Sequence, residues 1–313
     1  LGRNFCNKLW NASRFALMNL DACPLWADVS PREHLADRWI LSRLNDTVRQ
    51  ATAALEAYRF NELADAIYHF TWDDVCDWYL EVAKVRIRIG EQTPKAVLAW
   101  CLDVILRMLH PVAPFITEAI WAKLNEVAPT RGPGDASGEP LLATASWPRA
   151  DAAARDEGAE RSFAALQEMI RGIRDARQQH NVPPSRKVAA LIEATGETAE
   201  RVERNRDVLC SQASLGELTL SAEPVEPPRG AAAVAAGGAK LYVLDIIDVE
   251  AEKARLGKQK EGLLKGIRAA EGKLGNESFV SKAPAEVVQR ERDRLTEMQT
   301  ELNAIEKSLA ALA

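Results

Sequence analysis

The sequence has 313 residues, of which 47% are apolar, 27% charged and 6% aromatic, and it carries a net charge of −5. This composition excludes a disordered or fibrous chain, and the length suffices for two or three domains with buried cores. No apolar run approaches the roughly 18 residues of a membrane-spanning helix, and the five cysteines contain no C-x-x-C pair, which argues against a zinc site and a disulfide scaffold.

The aromatic residues are distributed unevenly. All eight Trp lie between Trp10 and Trp147, and only Phe163, Tyr242 and Phe279 follow them. We therefore expect a conventional packed core in the first half and a thinner architecture in the second. The chain begins with neither Met nor a signal-peptide pattern, so we expect a piece of a longer protein that resides in a reducing cytosol.

The first 127 residues show apolar residues at helical spacing, interrupted by helix-start signals. A Ser30-Pro31-Arg32-Glu33 capping box predicts a helix that continues to about Tyr58. Antiparallel packing of such helices through short links predicts a helix bundle. The five predicted helices begin near residue 3, at the capping box, at Asn61, at Thr93-Pro94 and at Pro114.

Residues 128–150 are rich in Pro and Gly and are predicted to form a loop, after which a helix is predicted over 157–180. A small α+β segment follows, with strands at Val188 to Ile192 and Glu217 to Leu220, a helix at 197–211, and an extended segment at Tyr242 to Ile247. The predicted domains are a helix bundle (1–150), a continuing helix with a small α+β segment (151–221), a linker (222–240) and a coiled-coil arm (241–313).

The tail contains an apolar repeat every seven residues on both sides of a break at 275–284. Two heptad helices joined by a short connection predict an antiparallel two-stranded coiled-coil hairpin. The predicted fold class is therefore mainly α: a helix bundle, a small α+β segment, and this hairpin. The repeat positions are Val249, Leu256, Leu263 and Ala270 with Ile267 and Leu274, then Val288, Leu295, Leu302 and Leu309 with Met298, Ile305 and Leu312.

The sequence contains no recognisable catalytic constellation. The four His are dispersed, and neither a glycine-rich phosphate loop nor a nucleophile elbow is present. We therefore expect no catalytic, metal-binding or cofactor-binding residue in this chain.

Basic and amide side chains are concentrated at the start of the chain, where residues 1–20 contain no acid. Such groups in a row can donate hydrogen bonds to phosphates and base edges. The alternative is a polar stripe that caps neighbouring helices or ties the bundle to a further domain. On a helix, the stripe consists of Asn4, Asn7, Lys8, Asn11 and Arg14.

Two further basic clusters lie downstream. Residues 171–187 carry a net charge of +4, although a solvated helix face would explain them equally. In the tail, Lys253, Arg255, Lys258 and Lys260 cluster in one helix and Arg290, Arg292 and Arg294 in the other. We expect both tail groups on the same distal half of the hairpin, with ordinary coiled-coil flanking charge as the alternative.

Several segments match a known family in chain order. They are residues 1–20 (LGRNFCNKLWNASRFALMNL), 36–44 (ADRWILSRL), 76–81 (CDWYLE), 109–118 (LHPVAPFITE), Trp147-Pro148, 170–187, and the motifs Lys273-Leu274-Gly275-Asn276, Phe279-Val280, Ala283-Pro284, Val287-Val288 and Glu291-Arg292.

This set resembles the anticodon-binding bundle and C-terminal domain of bacterial-type valyl-tRNA synthetases. Isoleucyl enzymes commonly end in a Cys-rich zinc module and leucyl enzymes lack the heptad tail, so the resemblance favours valine. It implies a monomeric, cytoplasmic class I ligase that uses ATP with Mg to join valine to tRNA(Val) and that hydrolyses mischarged threonyl-tRNA. The family's His-x-Gly-His and Lys-Met-Ser-Lys-Ser type signatures are absent here, so this chain alone is not expected to aminoacylate.

The resemblance also implies that the bundle binds the anticodon stem-loop and the hairpin binds the tRNA elbow, with neither DNA nor a membrane as partner. Trp39 is either a stacking platform or a core residue. The alternative function is a helical scaffold that binds a protein partner without tRNA, which the mixed heptad charges favour. The candidate contacts are Arg3, Asn7, Lys8, Asn11, Arg14, Arg38, Trp39 and Arg43 in the bundle, and Lys258, Lys260, Lys265, Arg290 and Arg294 in the hairpin.

Overall fold

The computed structural model describes residues 2–151, 154–247, 249–275 and 284–311. The chain divides into two compact units, one of residues 1–171 with 200–213 and one of residues 172–199 with 214–313. Within the described residues, no helix is both long and apolar enough to cross a membrane.

The first unit is a helix bundle. Helix α5 is buried on nearly every side and forms its centre, and the largest fully buried side chains of the unit include Trp121, Tyr79, Phe70 and Phe163. The predicted bundle is confirmed. Its helices are α1 (Gly2–Asn19), α2 (Leu35–Glu56), α3 (Phe60–His69), a π-helical segment (Phe70–Tyr79), α4 (Leu80–Arg88), α5 (Thr93–Leu109), α6 (Pro114–Val127) and the first part of α7 (Glu157–Gln179).

The predicted start of α2 at the capping box is wrong. Residues 30–33 form a turn in which the Glu33 amide donates to the Ser30 carbonyl at 3.2 Å. The helix begins at Leu35, and the cap is His34, whose Nδ1 accepts a hydrogen bond from the Ala36 amide at 3.1 Å. A ring nitrogen thus replaces the expected serine hydroxyl. Asn61 likewise lies inside α3 rather than capping it.

The loop after α6 contains a short hairpin of β1 (Thr130–Arg131) and β2 (Ala136–Ser137). The second unit contains a four-stranded sheet in the order β4-β3-β6-β5, in which β3 is parallel to β4 and antiparallel to β6. The strands are β3 (Val188–Glu193), β4 (Leu215–Ser221), β5 (Ala232–Ala236) and β6 (Ala239–Val243), and α8 (Gly196–Arg204) and α9 (Arg206–Gln212) connect β3 to β4.

The prediction of a linker over 222–240 is wrong, because β5 lies within it and pairs with β6. The turn between these strands is Gly237-Gly238, with φ of 58° and 78°. Helix α7 packs closely against β5 at Gly172, where a Cβ would lie only 2.7 Å from Cγ1 of Val234. Asn205 divides the helix predicted over 197–211 into α8 and α9.

The tail forms two helices, α10 (Val249–Leu274) and α11 (Ala285–Ala311). Lys260 pairs with Glu306 at 2.9 Å and Lys273 with Glu291 at 3.1 Å, so the partner's number falls as the first number rises. This is the signature of an antiparallel pair, and it confirms the predicted hairpin. Most of the predicted connection, and Leu312, lie outside the described residues. Heptad side chains buried between the helices are Leu256, Ile267, Ala270 and Val288.

Candidate nucleic-acid interface

Helix α1 presents a face without acidic residues. It buries Leu9, Ser13 and Ala16, and the helical repeat places the polar residues predicted as contacts on the opposite face. Four of these residues are exposed, and within the described part of the chain their side chains have no hydrogen-bond or ion-pair partner. The four are Arg3, Asn7, Asn11 and Arg14.

Trp10 lies at the edge of this exposed face and not in the bundle core, where the concentration of Trp in the first half of the sequence led us to expect aromatic side chains. It is 48% exposed, and it stands three residues after Asn7 and four before Arg14. Met18, 71% exposed, continues the same row. Positions 3, 7, 10 and 14 follow one row of a helix, so this spacing could have predicted that Trp10 shares the face of Arg3, Asn7 and Arg14. An aromatic residue is normally assigned to the core, which obscures this signal. The α1 face therefore combines donors with an accessible aromatic ring.

Lys8 is engaged inside the bundle. Its Nζ lies 2.6 Å from the carboxylate of Asp77 and 3.7 Å from the ring centroid of Trp72. Both partners belong to the π-helical segment. Lys8 therefore connects α1 to that segment and contributes less positive charge to the exposed face than the sequence suggested.

The two arginines predicted on α2 also form ion pairs within the first unit. Arg38 contacts Asp156 at 2.7 Å and Arg43 contacts Asp74 at 3.0 Å. Burial lowers the pKa of the Arg43 guanidinium, but the Asp74 carboxylate outweighs burial and raises that pKa overall. These arginines hold elements together, so α2 offers fewer available donors than α1.

Trp39 is a core residue, and its assignment as a stacking platform is wrong. It is 3% exposed, and its ring stacks on Phe163 of α7 with centroids 4.0 Å apart. An RNA base cannot stack on it, because its side chain is buried and Phe163 already packs against its ring.

The basic cluster at 171–187 is not one solvated patch. Arg177 is 5% exposed and donates to the carbonyls of Ser214 and Arg186, at 2.9 and 2.7 Å. Arg186 donates to the Asp245 carbonyl at 2.9 Å, and Arg171 lies 5.4 Å from the Trp78 ring centroid. Much of this charge therefore stabilises the fold rather than facing a polyanion.

In the hairpin, Lys258, Lys265, Arg290 and Arg294 are exposed and have no partner among the described residues. Lys260, in contrast, pairs with Glu306. These four basic side chains remain candidate contacts.

The expectation that both tail clusters share one half of the hairpin is wrong. Lys260 lies opposite Glu306 near the start of α10, whereas Arg290 and Arg294 flank Glu291, the partner of Lys273 near its end. In an antiparallel pair, early residues of one helix face late residues of the other. The exposed basic groups are therefore spread along the arm.

Nothing in the described residues resembles a catalytic centre. They contain no group of three or more His, Cys, Asp or Glu side chains that could hold a metal ion. Burial raises the pKa of Cys23 and of Cys76 to about 11, so both thiols stay protonated near neutral pH and are poor nucleophiles. What the structure offers is a binding surface.

Two family models match the chain. The model described as the anticodon-binding domain of tRNA ligase matches residues 37–192, and the model described as the valyl tRNA synthetase tRNA binding arm matches residues 248–313. The first match begins after α1, and the second contains both helices of the hairpin.

Curated relatives match along almost the whole chain. A protein of Caulobacter vibrioides named valine–tRNA ligase is 42% identical over 99% of this chain, which covers 34% of that protein. Proteins of the same name from Rhodopirellula baltica and Bacillus subtilis are 40% and 35% identical, again over 99% of this chain, and it covers 30% and 35% of them. The chain thus spans about a third of the length of these relatives.

Proposed function

Because the chain belongs to the valine–tRNA ligase family, in whose members it corresponds to the C-terminal portion, we propose that it binds and positions tRNA(Val) for the ligase. Attachment of valine with ATP and Mg, and hydrolytic removal of mischarged threonine, belong to the whole protein in this proposal. The described residues contain no group of three or more His, Cys, Asp or Glu side chains that could hold a metal ion, and the sequence has no glycine-rich phosphate loop. A cytoplasmic, monomeric ligase is proposed on the family relationship alone.

The observation that carries the proposal is the exposed face of α1. RNA loops are recognised by stacking unpaired bases on aromatic rings and by contacts to phosphates and base edges. The face offers the Trp10 ring for a base, the Asn7 and Asn11 amides for base edges, and the Arg14 guanidinium for a phosphate. The bundle is proposed to bind the anticodon stem-loop through this face.

The hairpin is proposed to bind the tRNA elbow. Its helices have 26 and 27 residues, so each extends about 39 Å. The exposed Lys258 and Lys265 on α10, and Arg290 and Arg294 on α11, would contact backbone phosphates at several levels of this length. Such contacts would position the tRNA without reading its sequence.

The first prediction concerns α1. Replacing Trp10 with Ala should weaken tRNA(Val) binding about tenfold, because base–aromatic stacking contributes roughly 1–3 kcal/mol. The double change Arg3→Glu and Arg14→Glu should weaken it more, because it also introduces repulsion from phosphates. Fluorescence anisotropy with labelled tRNA measures both.

The control is Arg88→Glu, which makes the charge change of one of those two substitutions at an exposed position at the end of α4. Its affinity should stay close to that of the unchanged chain. Equal affinities for all variants would move the anticodon contact away from α1.

A further inference from the structure

A cleft of about 940 Å³ lies in the first unit, and no residue of α1 lines it. Its walls come from the segment between α1 and α2, from one side of α2 and of α5, from Pro133, and from described residues within 148–151 and 154–156. Small-molecule sites typically have volumes of about 300–1,000 Å³. The cleft is therefore large enough for a ligand such as a nucleotide.

The walls combine apolar and polar side chains and include two indole rings. Trp26 and Trp100 are both half-buried, so part of each side chain remains accessible, and Leu44 and Val104 lie among the apolar lining residues. The Trp100 ring lies directly against Gly132, where any Cβ would overlap the ring. Only a glycine at position 132 therefore leaves room for the Trp100 ring as it is placed.

Several polar groups of the lining are already satisfied. Arg38 pairs with Asp156 at 2.7 Å, and Arg155 contacts Glu157 at 3.4 Å. The Asn45 amide donates to the Asp151 carbonyl at 2.8 Å and accepts from its amide at 2.7 Å. These groups shape the cleft and have little capacity left for a ligand.

Two lining arginines differ. Arg32 and Arg149 are exposed, and in the described part of the chain neither has an ion-pair or hydrogen-bond partner. Guanidinium groups bind phosphate through paired, charge-assisted hydrogen bonds. A cleft with aromatic walls and two available guanidinium groups is complementary to an anion that carries a flat apolar body.

We propose that this cleft binds a ribonucleotide, with the base against the tryptophan walls and the phosphate on Arg32 and Arg149. Glu33, an exposed lining residue, would accept hydrogen bonds from ribose hydroxyls. Because Asn45 is committed to Asp151, the base edge meets few donors, and purines and pyrimidines should bind similarly. The nucleotide is either free or one that a bound RNA extrudes, and this inference does not require the proposed tRNA function.

Titration calorimetry with AMP and with adenosine, on the full 313-residue chain, tests the proposal. AMP should bind with a dissociation constant on the order of 0.1–1 mM, since the cleft is open. The double change Arg32→Ala and Arg149→Ala should weaken AMP binding at least about tenfold and leave adenosine binding unchanged, because adenosine lacks the phosphate.

Two variants separate the roles of base and phosphate. Trp26→Ala should weaken AMP and adenosine alike, while keeping the backbone amide of residue 26 that donates to Asp135. Arg88→Ala, which removes an exposed arginine outside the cleft, should change neither affinity. Thermal unfolding by circular dichroism confirms that the variants fold.

The proposal is overturned if AMP shows no saturable heat up to about 10 mM, a concentration well above the expected dissociation constant. It is also overturned if the double arginine variant binds AMP as tightly as the unchanged chain, or if an acidic peptide such as oligo-glutamate binds the cleft and AMP does not. Repeating the AMP titration with tRNA present identifies the source: lost AMP binding supports an extruded RNA nucleotide, and unchanged binding supports a free one. Because AMP binding is measured without tRNA, the proposal can be tested even if the chain does not bind tRNA.

Discussion

Asp37 is fully buried, and its charge is balanced by residues far from it in sequence. Its Oδ1 accepts hydrogen bonds from the Tyr79 hydroxyl at 2.6 Å and from Arg86 at 2.8 Å. Arg86 also contacts Glu91 at 2.7 Å. Burial raises the pKa of the Tyr79 hydroxyl well above its ordinary value, so the group stays protonated and continues to donate. This network links α2, the π-helical segment and α4.

Asp37→Asn should lower the free energy of unfolding by about 3–5 kcal/mol, because it leaves the buried Arg86 guanidinium without its principal counter-charge. Urea denaturation measures the change. Asp73→Asn is the control: Asp73 pairs with His69 at the surface, and exposed pairs contribute about 1 kcal/mol or less. Similar losses for the two variants would show that Glu91 alone neutralises Arg86.

Trp10 and Trp39 show that the residue pattern of a single helix does not decide whether a given aromatic side chain is buried or exposed. Apolar residues of α1 predicted its helix, but Trp10 and the buried Leu9 are neighbours in sequence and only one can face the core. Trp39 is buried because Phe163, more than a hundred residues later, stacks on it. The exposed polar face of α1 was predictable from local periodicity, whereas the commitment of Lys8 and Arg43 to ion pairs depends on long-range packing.

At the scale of elements, the helices and the coiled coil followed from local signals. Heptad spacing needs only the sequence of each arm, and Pro114 starts α6 where a proline at the first helical position predicts. Strand β5 was missed because four of its five residues are Ala, and Val234 alone does not give the alternation of branched side chains that marks strands. Its pairing with β6, not its composition, makes it a strand.

The hairpin can be removed without cutting the sheet. A chain ending at Ile247 retains β6, whereas a cut at Ala236 would remove it. We expect the shortened chain to keep its sheet and bundle, and to bind tRNA at least about tenfold more weakly, because it lacks the exposed basic groups of the arm. Anisotropy measures the affinity and circular dichroism the remaining fold.

Lys260→Ala in the full chain is the matched comparison, because it removes a side chain already paired with Glu306. It should change tRNA binding little. If the shortened chain binds as tightly as the full one, the elbow contact does not involve the hairpin.

For the whole molecule, the net charge of −5 is an average over very different surfaces. The α1 face and the hairpin carry available basic groups, while the π-helical segment carries Asp73, Asp74 and Asp77, which pair with His69, Arg43 and Lys8 respectively. A negative net charge therefore does not exclude a polyanionic partner. If the chain binds RNA as proposed, these acids limit the area over which it can bind without specificity.

Affinity for tRNA should fall about 10³-fold between roughly 50 and 200 mM salt, if about six basic side chains each displace a counterion. The number of phosphate contacts follows from the slope of the logarithm of the association constant against the logarithm of the salt concentration. The hairpin-free chain should show a shallower slope. A flat dependence for the full chain would contradict phosphate contacts and favour a protein partner.

The opposed pairing of α10 and α11 constrains how the arm can change in length. Deleting one heptad of α10 between Lys260 and Lys273, without a change in α11, would preserve either the Lys260–Glu306 pair or the Lys273–Glu291 pair, but not both. Deleting one heptad from each helix at the same level would keep both pairs and shorten the arm by about 10 Å. The register therefore couples the lengths of the two helices. Heptads should be inserted or deleted without loss of the paired structure only when α10 and α11 change equally at facing positions.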